Sequence, residues 1–173
     1  MTDYKNNNFI KKISSLIPVI LLYASVLNNF DFNYLGLKYF SFNFSYILIF
    51  YYSLKKSESL GYIYIFIAGL FNDVVIGTPI GISSLLYLLL CGAAAYLRNI
   101  TLRPSLIKDW MFFFVTILIL NSVSFSILSL IFHYEIDYLD QATNIIFTFL
   151  LYFVFSHIFD YFEVFILGIS NER

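Results

Sequence analysis

Charged residues are so few and so unevenly placed that they divide this chain into six long apolar stretches. Only 12% of the 173 residues are charged and 60% are hydrophobic, whereas about a quarter of the residues in a soluble domain are charged. A soluble fold of this length would need more charged side chains to cover its outer surface. The sequence therefore predicts an integral membrane protein, whose apolar surface faces lipid.

The lengths of the apolar stretches match membrane-spanning helices, which need about 20 mainly apolar residues and at least about 17. The six stretches that come near this length are 13–30, 39–54, 60–76, 80–97, 110–132 and 142–159. Every loop between them is too short for a soluble domain, so we expect one all-α membrane domain over residues 1–173. Residues 160–169 carry an apolar stripe opposite Asp160 and Glu163, which predicts an amphipathic cytoplasmic tail along the membrane surface.

The basic residues predict the orientation of these helices, because cytoplasmic loops are enriched in Lys and Arg. With the N-terminus inside, nine of the ten basic residues fall in cytoplasmic segments and only Lys38 lies outside. The last outer loop, HYEIDYLDQ, contains three acidic residues and no basic one. We therefore expect six transmembrane helices with both termini cytoplasmic, in a multi-pass protein.

A helical hairpin is predicted between the third and fourth stretches, in the sequence AGLFNDVVIGTPIGISS of residues 68–84. Gly77 suits the left-handed position that ends a helix. Thr78 is a candidate N-cap of the next helix, and Pro79 suits its first turn. A tight antiparallel turn follows from this order.

Asp73, next to Asn72 in the same motif, is the most unusual residue of the hairpin. A carboxylate near the C-terminal end of its own helix is disfavoured by the helix dipole. The free N-terminal amides of the next helix, at Ile80, Gly81 and Ile82, offer a partner. Asn72 and Asp73 are thus interpreted as a polar clasp for the hairpin, or alternatively as a contact for a ligand, a proton path or a partner protein.

Two further sets of small or polar residues lie within predicted membrane helices. In the fourth stretch, Gly81, Ser84, Gly92 and Ala95 follow helical spacing and predict close helix packing, with lining of a pore as the alternative. In the fifth stretch, the polar residues are Asn121, Ser122, Ser126 and Ser129. Their two interpretations are internal hydrogen bonding between helices and a docking groove for the single helix of a partner.

Motifs of enzymes are missing from the sequence. It contains no glycine-rich phosphate loop, nucleophile elbow or zinc-binding His-Glu helix. His133 and His157 lie near opposite membrane faces in the predicted topology, and Cys91 is the one cysteine. The net charge of −1 argues against binding of nucleic acid. We therefore expect no catalytic residues, no metal site and no cofactor.

The hairpin and the helix after it resemble the bacterial MreD family. The matching pattern is a Gly-Leu-x-x-Asp helix end, a turn with Gly, Pro and Gly, and a helix rich in small residues that ends in arginine. The residues that match are Gly69, Leu70, Asp73, Gly77, Pro79, Gly81 and Arg98, and Ile80 replaces the leucine of the turn. The length, span number and orientation fit the family as well.

The resemblance implies a non-enzymatic inner-membrane protein of the cell-elongation machinery, which supports cell shape and lateral peptidoglycan synthesis. The implied partners are an MreC-like bitopic protein and, indirectly, an MreB-like filament and elongation-specific peptidoglycan synthases. The family's six-helix architecture is also similar to the substrate-binding subunits of energy-coupling-factor transporters. That similarity gives the alternative function, a vitamin-binding transporter subunit.

Overall fold

The computed structural model describes residues 16–27, 41–56, 59–101, 105–133 and 137–167, and within these ranges the chain is helical, as predicted. The described helices are α1 (Leu16–Leu27), α2 (Phe44–Lys55), α3 (Tyr62–Ile76), α4 (Ile82–Ile100), α5 (Leu106–Leu130) and α6 (Tyr138–Leu167). The predicted stretches 13–30 and 39–54 each lie partly outside the described residues. The prediction that 160–169 forms a surface tail stays a prediction, because α6 continues without a break to Leu167.

Three of these helices are long and apolar enough to cross a membrane: α4, α5 and the part of α6 from Tyr138 to Phe162. Helices α1 and α3 are apolar but shorter. Many large apolar side chains of the described helices face outward, including Ile119 and Leu150, whose exposed fractions are 57% and 50%. Lipid is the solvent that such a surface requires, so the fold indicates a membrane protein.

Helix α2 lies at the centre of the bundle. Ten consecutive residues, from Ser45 to Leu54, are buried, and a helix that is buried on all sides can be apolar all round. It packs against α4 and α6. Its 12 residues span about 18 Å at 1.5 Å per residue, less than the roughly 30 Å of a bilayer core.

Side chains of α6 hold the segment that leads into α2. The amide of Asn43 donates to Thr148 Oγ1 at 2.9 Å, and Asn144 Nδ2 donates to Ser41 Oγ at 3.1 Å. Asn43 also caps α2, since its Oδ1 accepts from the Tyr46 amide at 3.2 Å. Non-helical backbone is tolerated at membrane depth where protein groups satisfy it in this way.

The opposite end of α2 carries a charged contact with α6. Lys55 forms an ion pair with Asp160, and the Tyr51 hydroxyl donates to the same carboxylate at 2.7 Å. On α4, Arg98 Nη1 donates to the Ser53 carbonyl at 3.1 Å. Basic side chains therefore gather at the end of the bundle away from the α3–α4 turn.

The backbones of helices α3 and α4 come close together at Gly69. A Cβ atom at this position would lie 2.4 Å from the Ser84 Cα and 2.5 Å from its amide nitrogen. Ser84 in turn donates from its hydroxyl to the Phe66 carbonyl at 2.9 Å. Glycine is required here because the backbones of the two helices approach within the space that a side chain would fill.

The glycine at position 92 has no comparable contact, which makes the prediction of close packing there wrong for the described residues. A Cβ atom at Gly92 would meet nothing within 4 Å, and Ala95 is only half-buried. Of the small residues predicted to pack, Ser84 does lie in the buried stripe of α4, which continues through Tyr87, Leu90 and Ala94. Gly92 lies on the other side of the helix and faces outward.

We predict that Gly69→Ala destabilises the protein by about 1–3 kcal/mol or more, because overpacking forces backbone shifts. Thermal unfolding of the purified protein in detergent measures the effect. Gly92→Ala is the matched control, since it makes the same change in a helix with open space. An equal loss of stability in the two variants would contradict the close approach at Gly69.

Candidate functional site

Asp73 forms the centre of the α3–α4 hairpin and is fully buried. Its Oδ2 accepts from the Gly81 amide at 2.7 Å. Its Oδ1 accepts from the Ser83 amide at 2.9 Å and from the Thr78 hydroxyl at 3.0 Å. Both carboxylate oxygens are thus bound, two of the three bonds coming from the start of α4, where free amides and the helix dipole favour a negative group.

The main chain of Asp73 also shapes the turn. Its carbonyl accepts from the Gly77 amide at 2.9 Å and from the Thr78 amide at 3.0 Å. Gly77 ends α3 in the left-handed conformation with φ of 80°, so the bonds form a Schellman-type helix end. One residue therefore closes α3 through its backbone and binds α4 through its side chain.

The predicted roles of Thr78 and Pro79 are wrong. The N-cap of α4 is Gly81, with φ of 106°, and the helix begins at Ile82. The Thr78 hydroxyl is bound to Asp73 instead of capping a helix, and Pro79 lies before the helix, with its carbonyl accepting from the Ile82 amide at 3.4 Å. A left-handed φ favours glycine, which explains the second glycine of the motif.

The amides that bind Asp73 also differ in part from those expected. Gly81 contributes as predicted by the spacing, whereas the second amide belongs to Ser83 rather than to Ile80 or Ile82. Asn72 extends the contact, because its Nδ2 donates to Ser83 Oγ at 2.9 Å. Asn72 and Ser83 are both buried. The sequence signal for the contact between Asn72 and Ser83 is the pair Ser83 and Ser84 at the start of an apolar helix.

A cavity of about 160 Å³ lies beside the hairpin, among α2, α3, α4 and α5. Its lining includes Asn43, Tyr46, Asn72, Thr78, Ser83, Tyr87, Asn121 and Ser124, together with the apolar residues Ile76, Ile82, Leu86 and Leu128. Sequence reasoning missed Tyr46, Tyr87 and Ser124 as neighbours of the hairpin. They are distant in sequence and only the helix packing brings them together.

The polar residues of α5 divide between the inside and the outside of the bundle. Asn121 is half-buried and bonds within its own helix, with Nδ2 donating to the Ile117 carbonyl at 2.8 Å. Ser122 and Ser126 are exposed, and Ser129 is half-buried. Ser126 donates to the Ser122 carbonyl at 2.9 Å. The interpretation of the serines as internal hydrogen-bonding groups is therefore wrong for Ser122 and Ser126.

A groove of about 260 Å³ runs beside these serines, between α5 and α6. It is lined by Leu118, Asn121, Ser122, Phe125, Tyr138, Gln141 and Ile145. Across it, Gln141 Nε2 lies 3.5 Å from the Asn121 carbonyl, to which it donates. The groove opens outward on the same face as the exposed serines.

We predict a graded loss of stability at position 73. Asp73→Asn keeps one acceptor oxygen but turns an NH₂ group toward a donor, so it should cost about 1–3 kcal/mol. Asp73→Leu leaves the Gly81 and Ser83 amides without a partner and should cost more. Thr78→Val removes one hydroxyl donor and should cost least. Thermal unfolding in detergent checks the order, and a Leu variant as stable as the native protein would contradict it.

Comparison with known proteins identifies the family. A family model described as rod shape-determining protein MreD matches residues 10–168 of the 173-residue chain. No curated protein and no solved structure matches the chain. The match includes the hairpin around Asp73 and the serines of α5, and it confirms the resemblance seen in the hairpin motif. A match over nearly the whole chain shows that this protein belongs to the MreD family of rod shape-determining proteins.

Proposed function

We propose that this protein is a non-enzymatic scaffold of the rod-elongation complex in the bacterial inner membrane. It binds the membrane helix of an MreC-like bitopic protein and thereby supports cell shape and lateral peptidoglycan synthesis. Through that partner it acts indirectly with an MreB-like filament and elongation-specific peptidoglycan synthases. Family membership supports a part in rod shape determination, and the outward-facing serines of α5 carry the proposal of how the partner binds.

The serines of α5 suit contact with another helix. Ser122 and Ser126 continue the outward stripe formed by Met111 and Val115, which are 52% and 51% exposed. Small residues let two helices approach closely in lipid, where packing and interhelical hydrogen bonds drive association. A single membrane helix that lies along the stripe could also place an apolar side chain in the groove between α5 and α6.

The arrangement of charge supports the proposed orientation. All four basic residues in the described ranges, Lys55, Lys56, Arg98 and Lys108, lie at the end of the bundle away from the α3–α4 turn. Asp137 and Asp140 lie at the turn end, near the start of α6. Because basic residues favour the cytoplasmic side, we place the turn at the periplasmic face and both termini in the cytoplasm. The serines then lie in the periplasmic half of the membrane.

The alternative function, a vitamin-binding transporter subunit, receives less support from the geometry. The cavity beside the hairpin has a volume of about 160 Å³, whereas ligand pockets are about 300–1,000 Å³. Asp73, the candidate ligand contact, has both side-chain oxygens bound within the chain. The scaffold is therefore the function that the site supports best.

Replacement of Ser122, Ser126 and Ser129 together by Leu is expected to abolish recovery of the MreC-like protein with the tagged scaffold. Three bulky side chains would hold the partner helix away from α5 and remove the hydroxyl groups. The measurement is gentle detergent extraction from the native membrane, followed by quantification of the co-purified partner. A loss of at least tenfold is expected, equal to about 1.4 kcal/mol of binding energy.

The control is the double variant Met111→Phe and Val115→Phe, which enlarges the same outward stripe two to three turns earlier. It should keep both the partner and the normal level of protein in the membrane. If the serine variant accumulates normally and still recovers the full amount of partner, the proposed binding surface is wrong. Recovery of paired ATPases with a coupling membrane protein would instead support the transporter alternative.

A further inference from the structure

The cavity beside the hairpin combines polar walls with burial in an apolar bundle. Amide and hydroxyl groups reach it from four helices and from the α3–α4 turn, and the described lining contains no Lys, Arg, Asp or Glu. Asn72, Ser83 and Tyr87 are more than nine-tenths buried. A polar group without a hydrogen-bond partner is costly in such surroundings unless a guest in the cavity supplies the missing bond.

Tyr87 has such an unmatched group. Its side chain is 1% exposed, lines the cavity, and its hydroxyl has no hydrogen-bond partner among the described residues. The Ser45 hydroxyl, which shares a hydrogen bond with Ser25, lies near it, but the two hydroxyls of Tyr87 and Ser45 do not meet the geometry of a hydrogen bond. The ring packs edge-on against Tyr46, with centroids 5.8 Å apart, and so fixes the position of the hydroxyl.

We propose that the cavity binds a small, uncharged guest that carries hydrogen-bond donors and acceptors, with the Tyr87 hydroxyl as a principal contact. The guest is uncharged because the lining supplies no opposite charge and both oxygens of nearby Asp73 are already bound. The volume of about 160 Å³ is close to that of a cavity known to hold benzene, about 150 Å³. This corresponds to a guest of about six non-hydrogen atoms, or to a cluster of about five water molecules at about 30 Å³ each.

The guest would lie close to the proposed partner surface on α5. Asn121 lines both this cavity and the outward groove between α5 and α6. The guest would therefore lie on the inner side of α5, one residue from the exposed Ser122. Binding of the guest does not require the partner, since the cavity and the unpaired hydroxyl lie within this chain.

Whether Tyr87→Phe lowers or raises the melting temperature tests the proposal. If a guest hydrogen-bonds to Tyr87, Tyr87→Phe loses that bond, and the melting temperature of the full-length protein in detergent should fall by about 2–4 °C. If the cavity is empty, the same change removes an unsatisfied buried hydroxyl, and the melting temperature should stay constant or rise. An unchanged or higher melting temperature overturns the proposal.

Ser156→Ala is the matched control. The Ser156 hydroxyl is also buried without a hydrogen-bond partner, but Ser156 is not part of the cavity lining. Its removal should leave the melting temperature constant or raise it. Should Tyr87→Phe fail to accumulate, Ser124→Ala is interpreted in the same way, because Ser124 lines the cavity from α5.

Hydroxyl-radical labelling then distinguishes the two kinds of guest. Radicals formed from bound water would label Tyr87 more than Tyr152, which is equally buried at 1% exposure but packs against Phe113 in the core. Such labelling, without a bound adduct in native mass spectrometry, identifies water. A protected Tyr87 with a neutral adduct that disappears in Tyr87→Phe identifies a small polar solute. Protection of Tyr87 without an adduct overturns the proposal.

Discussion

The fold depends on the bonds between the Asp73 carboxylate and the start of α4. A buried carboxylate is costly unless hydrogen bonds compensate it, and here the Gly81 and Ser83 amides and the Thr78 hydroxyl do so. The same bonds satisfy amides that the first turn of a helix leaves free. The Asp73 carboxylate and the free amides of α4 satisfy each other, so these bonds fix how α3 and α4 are aligned along their lengths. This alignment brings Gly69 against Ser84.

The register of this pair determines what the other helices can do. Helix α4 provides one wall for the central α2, which is buried along almost its whole length. A helix enclosed by protein can be short and can begin inside the membrane, provided that neighbours bind its free end, as Thr148 of α6 binds Asn43. The enclosure of α2 leaves much of the surface of α5 and α6 facing outward, toward lipid.

The sequence predicted those features that depend on local pattern. An apolar chain with few charges predicts a helical membrane protein, and a lone carboxylate before a glycine turn predicts a bond to the next helix. Pattern could not show which amides bind Asp73, because Thr78 and Gly81 are both plausible caps and only the φ of 106° at Gly81 decides between them. Nor could helical spacing show that Gly92 faces outward while Gly69 packs against Ser84, since that depends on the rotation of each helix against its neighbour.

Site-specific photo-crosslinking in the native membrane tests the proposed partner surface most directly. A photoreactive residue at Ser126, exposed on α5, is compared with one at Tyr96, which is 61% exposed on α4. The scaffold function proposed above predicts a crosslink from position 126 to a single-span protein with a coiled-coil periplasmic segment, and none from position 96. A crosslink to that protein from position 96, with none from position 126, would contradict it.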